Sequence, residues 1–253
     1  MSRDFTIDKY EEFLQAAMSA GYQLISFKDY LENSYEKCLI LRHDVDKKPQ
    51  NSLKIAKLQK RLGAKGVYYF RAVPQSFDES IIQEIATLGH EIGYHYEDLA
   101  ICKGNEEMAI EHFEHWLAKL RKLAPVNTIC MHGSPLSKYD NRHLWKTYNY
   151  RDYDIMAEPY FDLDFKQVFY LTDTGRRWDG DKVSVRDKVQ SPFELSFHHT
   201  DEIIKAFKEG DMPAFIMQNI HPQRWTNSHF QWGIEYLSQR TKNFIKRQLY
   251  VKQ

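Results

Sequence analysis

The chain reads as a single α/β domain spanning 1–253, with short parallel strands inside a layer of helices. Three observations predict this. Continuously apolar runs such as Leu39-Ile40-Leu41 and Val67-Tyr68-Tyr69-Phe70 suit strands buried on both faces. Amphipathic stretches of about 10–20 residues separate those runs, as crossover helices do. The length, 253 residues, is close to what one (β/α) barrel uses. Closed or nearly closed, this pattern is a TIM-like barrel; open, it is a doubly wound sheet.

Taken in order, Ile7 to Gly21 is a helix, because Tyr10, Phe13, Leu14, Ala17 and Met18 share one face and Gly21 suits a left-handed end. Cys38 to Leu41 is a strand running into Arg42-His43-Asp44-Val45-Asp46. Ser52 to Leu62 is helical and stops at Gly63; Val67 to Phe70 is a strand. Glu79 to Leu88 is helical, stops at Gly89, and leads to a strand ending near His95. Glu106 to Leu123 is a long amphipathic helix, followed past Pro125 by the strand Asn127 to Met131. A strand at Val168 to Leu171, a helix at Asp201 to Lys208, a strand at Ala214 to Ile220 and a helix at Trp232 to Leu249 complete the alternation. The stretch from Tyr148 to Phe197 is irregular and reads as long loops over the barrel mouth.

Composition excludes several classes. Hydrophobic residues at 42% and charged residues at 28% exclude a disordered chain or a coiled coil. Lys+Arg 35 against Asp+Glu 35 leaves no net charge, which argues against a nucleic-acid partner. No apolar run approaches the ~20 residues of a membrane span. The opening Met1-Ser2-Arg3-Asp4-Phe5 lacks a secretory layout. Cys38, Cys102 and Cys130 are odd in number and have no ligand-like spacing, so reduced thiols in a cytoplasmic protein are expected. There is no Gly-rich phosphate loop.

The polar residues fall at strand ends. Leu41 runs into Asp44 and Asp46, Tyr94 into His95, Met131 into His132, and Ile220 into His221. One histidine leaving a strand is ordinarily just a polar residue leaving the core. Several converging on the C-terminal face of a parallel fold point to chemistry there, and carboxylate with imidazole points to a divalent metal. Asp44 and Asp46 alternate, so both side chains face one side of the strand. One can ligate a cation while the other acts as a base. His112 and His115 imitate ligand spacing, but Ile110, Phe113, Leu117 and Leu120 define the buried face of their helix and leave both histidines on the wet side. His198-His199 reads as loop.

Arg42-His43-Asp44-Val45-Asp46 resembles the first motif of the polysaccharide deacetylase (NodB-homology) superfamily. Gly89-His90-Glu91-Ile92-Gly93-Tyr94-His95 is similar to its second motif, and Ile220-His221 to its last. The resemblance implies a distorted (β/α) barrel, a divalent metal (commonly zinc) and hydrolysis of the amide of an N-acylated sugar, in most cases an N-acetyl group. It implies Asp44 as general base, Asp46 and His95 as metal ligands and His221 as general acid. The position where the family carries a further metal histidine is Leu99, which cannot ligate. His132 is the expected third ligand, supplied from a neighbouring strand end, with Glu97 and Asp98 as alternatives. The segment Thr172 to Gly180 offers Arg177, Trp178 and Asp179 as sugar-binding residues, with fork donors and an aromatic face. Two other readings stand beside hydrolysis: a sugar-binding protein without catalysis, motivated by Leu99, and a non-haem iron site of two histidines and one carboxylate.

Overall fold

The computed structural model describes residues 3–133, 137–178 and 189–249. Seven strands form its sheet: β1 (Gln23–Ile25), β2 (Cys38–Val45), β3 (Val67–Phe70), β4 (Glu91–Tyr96), β5 (Val126–Met131), β6 (Phe169–Thr172) and β7 (Phe215–Ile220). Every pairing is parallel, in the order β5-β4-β3-β2-β7-β6, with β1 beside the first half of β2. The connections carry α1 (Ile7–Ser19), α2 (Phe27–Glu32), α3 (Pro49–Arg61), α4 (Glu79–Thr87), α5 (Asp98–Ile101), α6 (Glu106–Arg121), α7 (Pro159–Asp162) and α8 (Thr200–Glu209), and α9 (His229–Leu249) is the last described element.

Alternation along β2 sorts its side chains. Leu39, Leu41 and Val45 join the cluster packed under the helices, whereas Cys38 and Ile40 join Val67, Tyr69, Cys130 and Met217 on the inner face. His43, on the helix side, donates from Nδ1 to Val67 O at 2.9 Å and accepts from Gln59 Nε2 at 2.8 Å. Burial holds it neutral, lowering its pKa to about 3. Gly93 has a steric reason: a Cβ there would sit 2.3 Å from the Tyr69 ring, which fills the barrel beside it.

Two features depart from the sequence expectation. β1 and α2 were not anticipated, since a three-residue strand leaves no periodic signal. Yet α2 carries its own start sign, for Ser26 Oγ accepts from Asp29 N at 3.1 Å and Asp29 Oδ2 accepts from Ser26 N at 3.4 Å. The second departure concerns the stretch expected to loop over the mouth. Ala157 bridges to Thr128 beside β5, and Leu163, Phe165 and Val168 pack with Cys38, Ile40 and Met217. Among the described residues β5 and β6 do not pair with each other. Residues 157–168 fill the gap between them with apolar side chains, so the barrel is closed by packing rather than by a ladder. No described helix is long and apolar enough to cross a membrane.

Candidate metal centre

Arg42 and Asp44 are two residues apart on the inner face of β2, so the guanidinium can fork onto its own strand neighbour. Arg42 Nε donates to Asp44 Oδ1 at 2.9 Å and Nη2 to Oδ2 at 2.7 Å. Asn219 on β7, in register with Arg42, adds an Nδ2 donor to Asp44 Oδ2 at 2.9 Å. Tyr160 and Tyr170 lie over the guanidinium, their ring centroids 5.1 and 6.0 Å from its carbon. Burial opposes ionisation of Asp44, but Arg42, His95 and His221 outweigh it and hold the carboxyl well below the ordinary range.

Asp46, just past the end of β2, divides its two oxygens. Oδ2 accepts from Gln223 Nε2 at 3.0 Å and lies 3.9 Å from His221 Nε2. Oδ1 is buried without a hydrogen-bond partner, 3.4 Å from His132 Nε2 and 3.7 Å from His95 Nε2. Although burial opposes it, the three imidazoles bring the Asp46 pKa down to about 2.

Both imidazoles facing Oδ1 are oriented through their other nitrogen. His95 Nδ1 lies 2.8 Å from Cys130 O, which can only accept, so Nδ1 carries the proton and Nε2 presents a lone pair. Burial lowers the His95 pKa to about 4, which keeps that lone pair available at neutral pH. His132 Nδ1 lies 3.0 Å from Glu97 Oε2, and Arg71 Nε donates to Glu97 Oε1 at 2.6 Å. Although burial opposes it, His132 and Arg71 lower the Glu97 pKa to about 2, so this carboxylate stays charged.

These atoms of Asp46, His95 and His132 lie within 4.8 Å of one another. Four ligands at ~2.0–2.1 Å around tetrahedral zinc stand roughly 3.4 Å apart. The orphaned carboxylate oxygen and two convergent lone pairs therefore fit such an ion. Asp44, His95 and Cys130 form an overlapping group, but Asp44 already accepts three hydrogen bonds, so its lone pairs are less available.

His221 stands on the opposite side of Asp46. Its Nδ1 lies 2.6 Å from Oδ1 of Asp173, which is fully buried just after β6. Asp173 Oδ2 accepts from His221 N at 3.0 Å and Trp225 Nε1 at 2.8 Å, and Arg224 Nη1 donates to Oδ1 at 2.5 Å. Burial and Arg224 lower the His221 pKa, but Asp173 and Asp46 outweigh them and raise it. The arrangement suits an imidazole that keeps its proton until a neighbour needs it.

Five residues singled out from sequence thus come together: Asp44, Asp46, His95, His132 and His221. Glu97 supports His132 through its far nitrogen, and Leu99 is buried among apolar residues. Asp98 turns away, accepting from Tyr94 Oη at 2.8 Å with His112 Nδ1 at 2.5 Å. This corrects the expectation for His112, which is half-buried because it satisfies that buried carboxylate; His115 is exposed. Trp178 is also corrected. It is only 4% exposed, donates to Thr200 Oγ1 at 2.9 Å and packs with Phe5, Phe13 and Trp225, so it offers no face to a sugar. Arg177 is half-buried, and Asp179 lies outside the described residues.

Asp173 and Arg224 were missed. Asp173 had a signal, because it follows a strand as Asp46 and His132 do. Arg224 had none beyond its place three residues after His221.

No family model matches the chain, and no curated protein matches it in sequence. Solved structures similar to it include a CE4 esterase from Streptococcus mutans, 14% identical, with 93% of this chain and 91% of that one covered at a TM-score of 0.46. A peptidoglycan N-acetylglucosamine deacetylase is 16% identical, with 82% of each chain covered and a TM-score of 0.44. A CE4 family pseudoenzyme from Bacillus anthracis is 12% identical, with 85% of this chain and 63% of that one covered at 0.45.

Proposed function

We propose that the protein is a metal-dependent hydrolase that removes an N-acyl group, N-acetyl in the first instance, from a sugar or sugar derivative by cleaving its linear amide C–N bond. One observation carries this reading: two imidazole lone pairs and an orphaned carboxylate oxygen converge on one side of Asp46, while a proton-bearing His221–Asp173 pair faces its other side. Asp46, His95 and His132 would hold the ion. Zinc held there would polarise the amide carbonyl and lower the pKa of water. Asp44, kept ionised and aimed by Arg42, takes the proton of the attacking water. Its low proton affinity makes it a base only for an activated water. His221 gives its proton to the departing amine, with Asp173 holding the ring through Nδ1. The products are an amine and a carboxylate.

Arg177 remains a candidate substrate contact. A cytoplasmic location is part of this proposal, resting on the odd number and the spacing of Cys38, Cys102 and Cys130. The test is acetate release from N-acetylated glucosamine and its oligomers, alongside elemental analysis of protein purified without chelator. Stoichiometric zinc with acetate release supports the proposal. Two histidines and one carboxylate also describe a non-haem iron site, and bound iron with aerobic 2-oxoglutarate turnover would establish that reading instead. Zinc or no metal, with sugar binding and no hydrolysis, would favour an inactive binding protein, the reading that Leu99 motivates.

A further inference from the structure

The terminal helix is inside out. On α9, Glu235 and Gln239 are 4% and 6% exposed, whereas Phe230, Ile234, Leu237 and Phe244 are 77%, 50%, 66% and 64% exposed. The inner face is satisfied by polar contacts. Glu235 pairs with Lys47 at 3.4 Å, Asn243 Nδ2 donates to Gly175 O at 2.9 Å and Arg176 Nη1 donates to Trp232 O at 3.4 Å. The outer apolar residues follow one another at steps of four, three and seven, which places them on one stripe. Beside the stripe, Trp232 stacks on Tyr236 at 5.1 Å, and Arg240 lies 5.7 Å from the Tyr236 ring.

Charge decides what suits that face. The chain as a whole is balanced, yet residues 229–249 carry Arg240, Lys242, Lys246 and Arg247 against Glu235 alone. Glu235 is turned inward and Lys242, seven residues on, shares its side and its field, so the outer side of α9 offers apolar groups flanked by Arg240 without an accessible carboxylate. We propose that α9 docks on an anionic lipid surface, with Phe230, Ile234, Leu237 and Phe244 entering the headgroup boundary and Arg240 beside them meeting lipid phosphates. A second copy of the helix suits the face less well, because it brings no accessible acidic residue to Arg240. From Phe230 to Phe244 the stripe runs about 21 Å on a helix ~10 Å across. That footprint, on the order of a few hundred Å², falls short of the ~800 Å² per partner of a stable interface. It is also shorter than the three to four heptads that a coiled coil sustains.

The test is co-sedimentation of the full chain with vesicles of phosphatidylcholine alone and with about one-third phosphatidylglycerol. Pelleting with the anionic vesicles only, reversed by added salt, is expected. Phe230→Ser and Leu237→Ser should each weaken it about tenfold or more, and Arg240→Gln about fivefold, with circular dichroism unchanged. No pelleting with anionic vesicles, equal pelleting with neutral ones, or indifference to all three substitutions overturns the proposal. A dimer in light scattering that Leu237→Ser abolishes, without vesicle binding, assigns the face to a second copy instead.

Discussion

The two sides of Asp46 use the same parts to different ends. On one side His132 is held through Nδ1 by Glu97, which Arg71 grips; on the other, His221 is held through Nδ1 by Asp173, which Arg224 grips. Both imidazoles turn Nε2 toward Asp46. The difference lies in its oxygens. Oδ2 already accepts from Gln223, whereas Oδ1, facing His132 and His95, accepts nothing. A histidine–carboxylate pair therefore does not announce its own role. What the second imidazole and the unsatisfied oxygen offer together makes one side a candidate ligand set and leaves the other for proton transfer.

The strongest way to break this comparison is to remove its shared centre. Asp46→Ala should strip the metal and reduce turnover by more than the ~10²–10⁴-fold of losing a general acid alone, with elemental analysis and acetate release as the readouts. Full metal occupancy in that variant would show that Oδ1 is no ligand. Next, His221→Ala and Asp44→Asn should keep the metal and lower kcat about 10²–10⁴-fold. A change confined to KM would make both residues substrate contacts instead.

A finer cut separates ligand from support. His132→Ala should cost far more metal affinity than Glu97→Gln, for which a loss of about 10–100-fold is expected, while Asp98→Ala should leave affinity unchanged. A titration with a competing chelator would reveal the opposite ranking, which would return the third ligand to the loop after His95. On the proton-transfer side, Asp173→Asn removes the main charge that raises the His221 pKa. In the proposed mechanism activity requires protonated His221 and is lost as pH rises through its pKa. The basic limb of the kcat/KM profile should therefore move to lower pH in this variant. An unmoved limb would mean that His221 is not the titrating acid. The smallest effect is expected away from both histidine pairs. Gly93→Ala forces a methyl group against Tyr69 and should cost about 1–3 kcal/mol in denaturant unfolding, with metal binding retained. An unchanged midpoint would show that the Tyr69 ring yields.

Much of the fold was written locally. Apolar runs four to eight residues long, the glycines after helices and the acidic or histidine residues at strand ends are all local patterns. The strand-end rule found Asp44, Asp46, His95, His132 and His221 because a parallel sheet carries every such end to the same face. Asp173 obeys the same rule, since it follows β6 directly. Trp178 itself shows the limit of local reading. An indole beside charged residues suits a sugar platform or a core equally well until the chain shows that Phe5, Phe13 and Trp225 surround it.

By itself, then, the sequence determined the alternation of strands and helices, the face that holds the polar side chains and most of their identities, since these follow from periodicities of 2 and 3.6 along one segment. Tertiary structure alone decided the pairings. Glu97 against His132, Asp173 against His221 and Arg224 against Asp173 each join different loops or strand ends. It also decided that residues 157–168 close the barrel by packing. Such choices depend on distances of a few ångströms between segments far apart in the chain, and those distances exist only once the barrel has closed around its core.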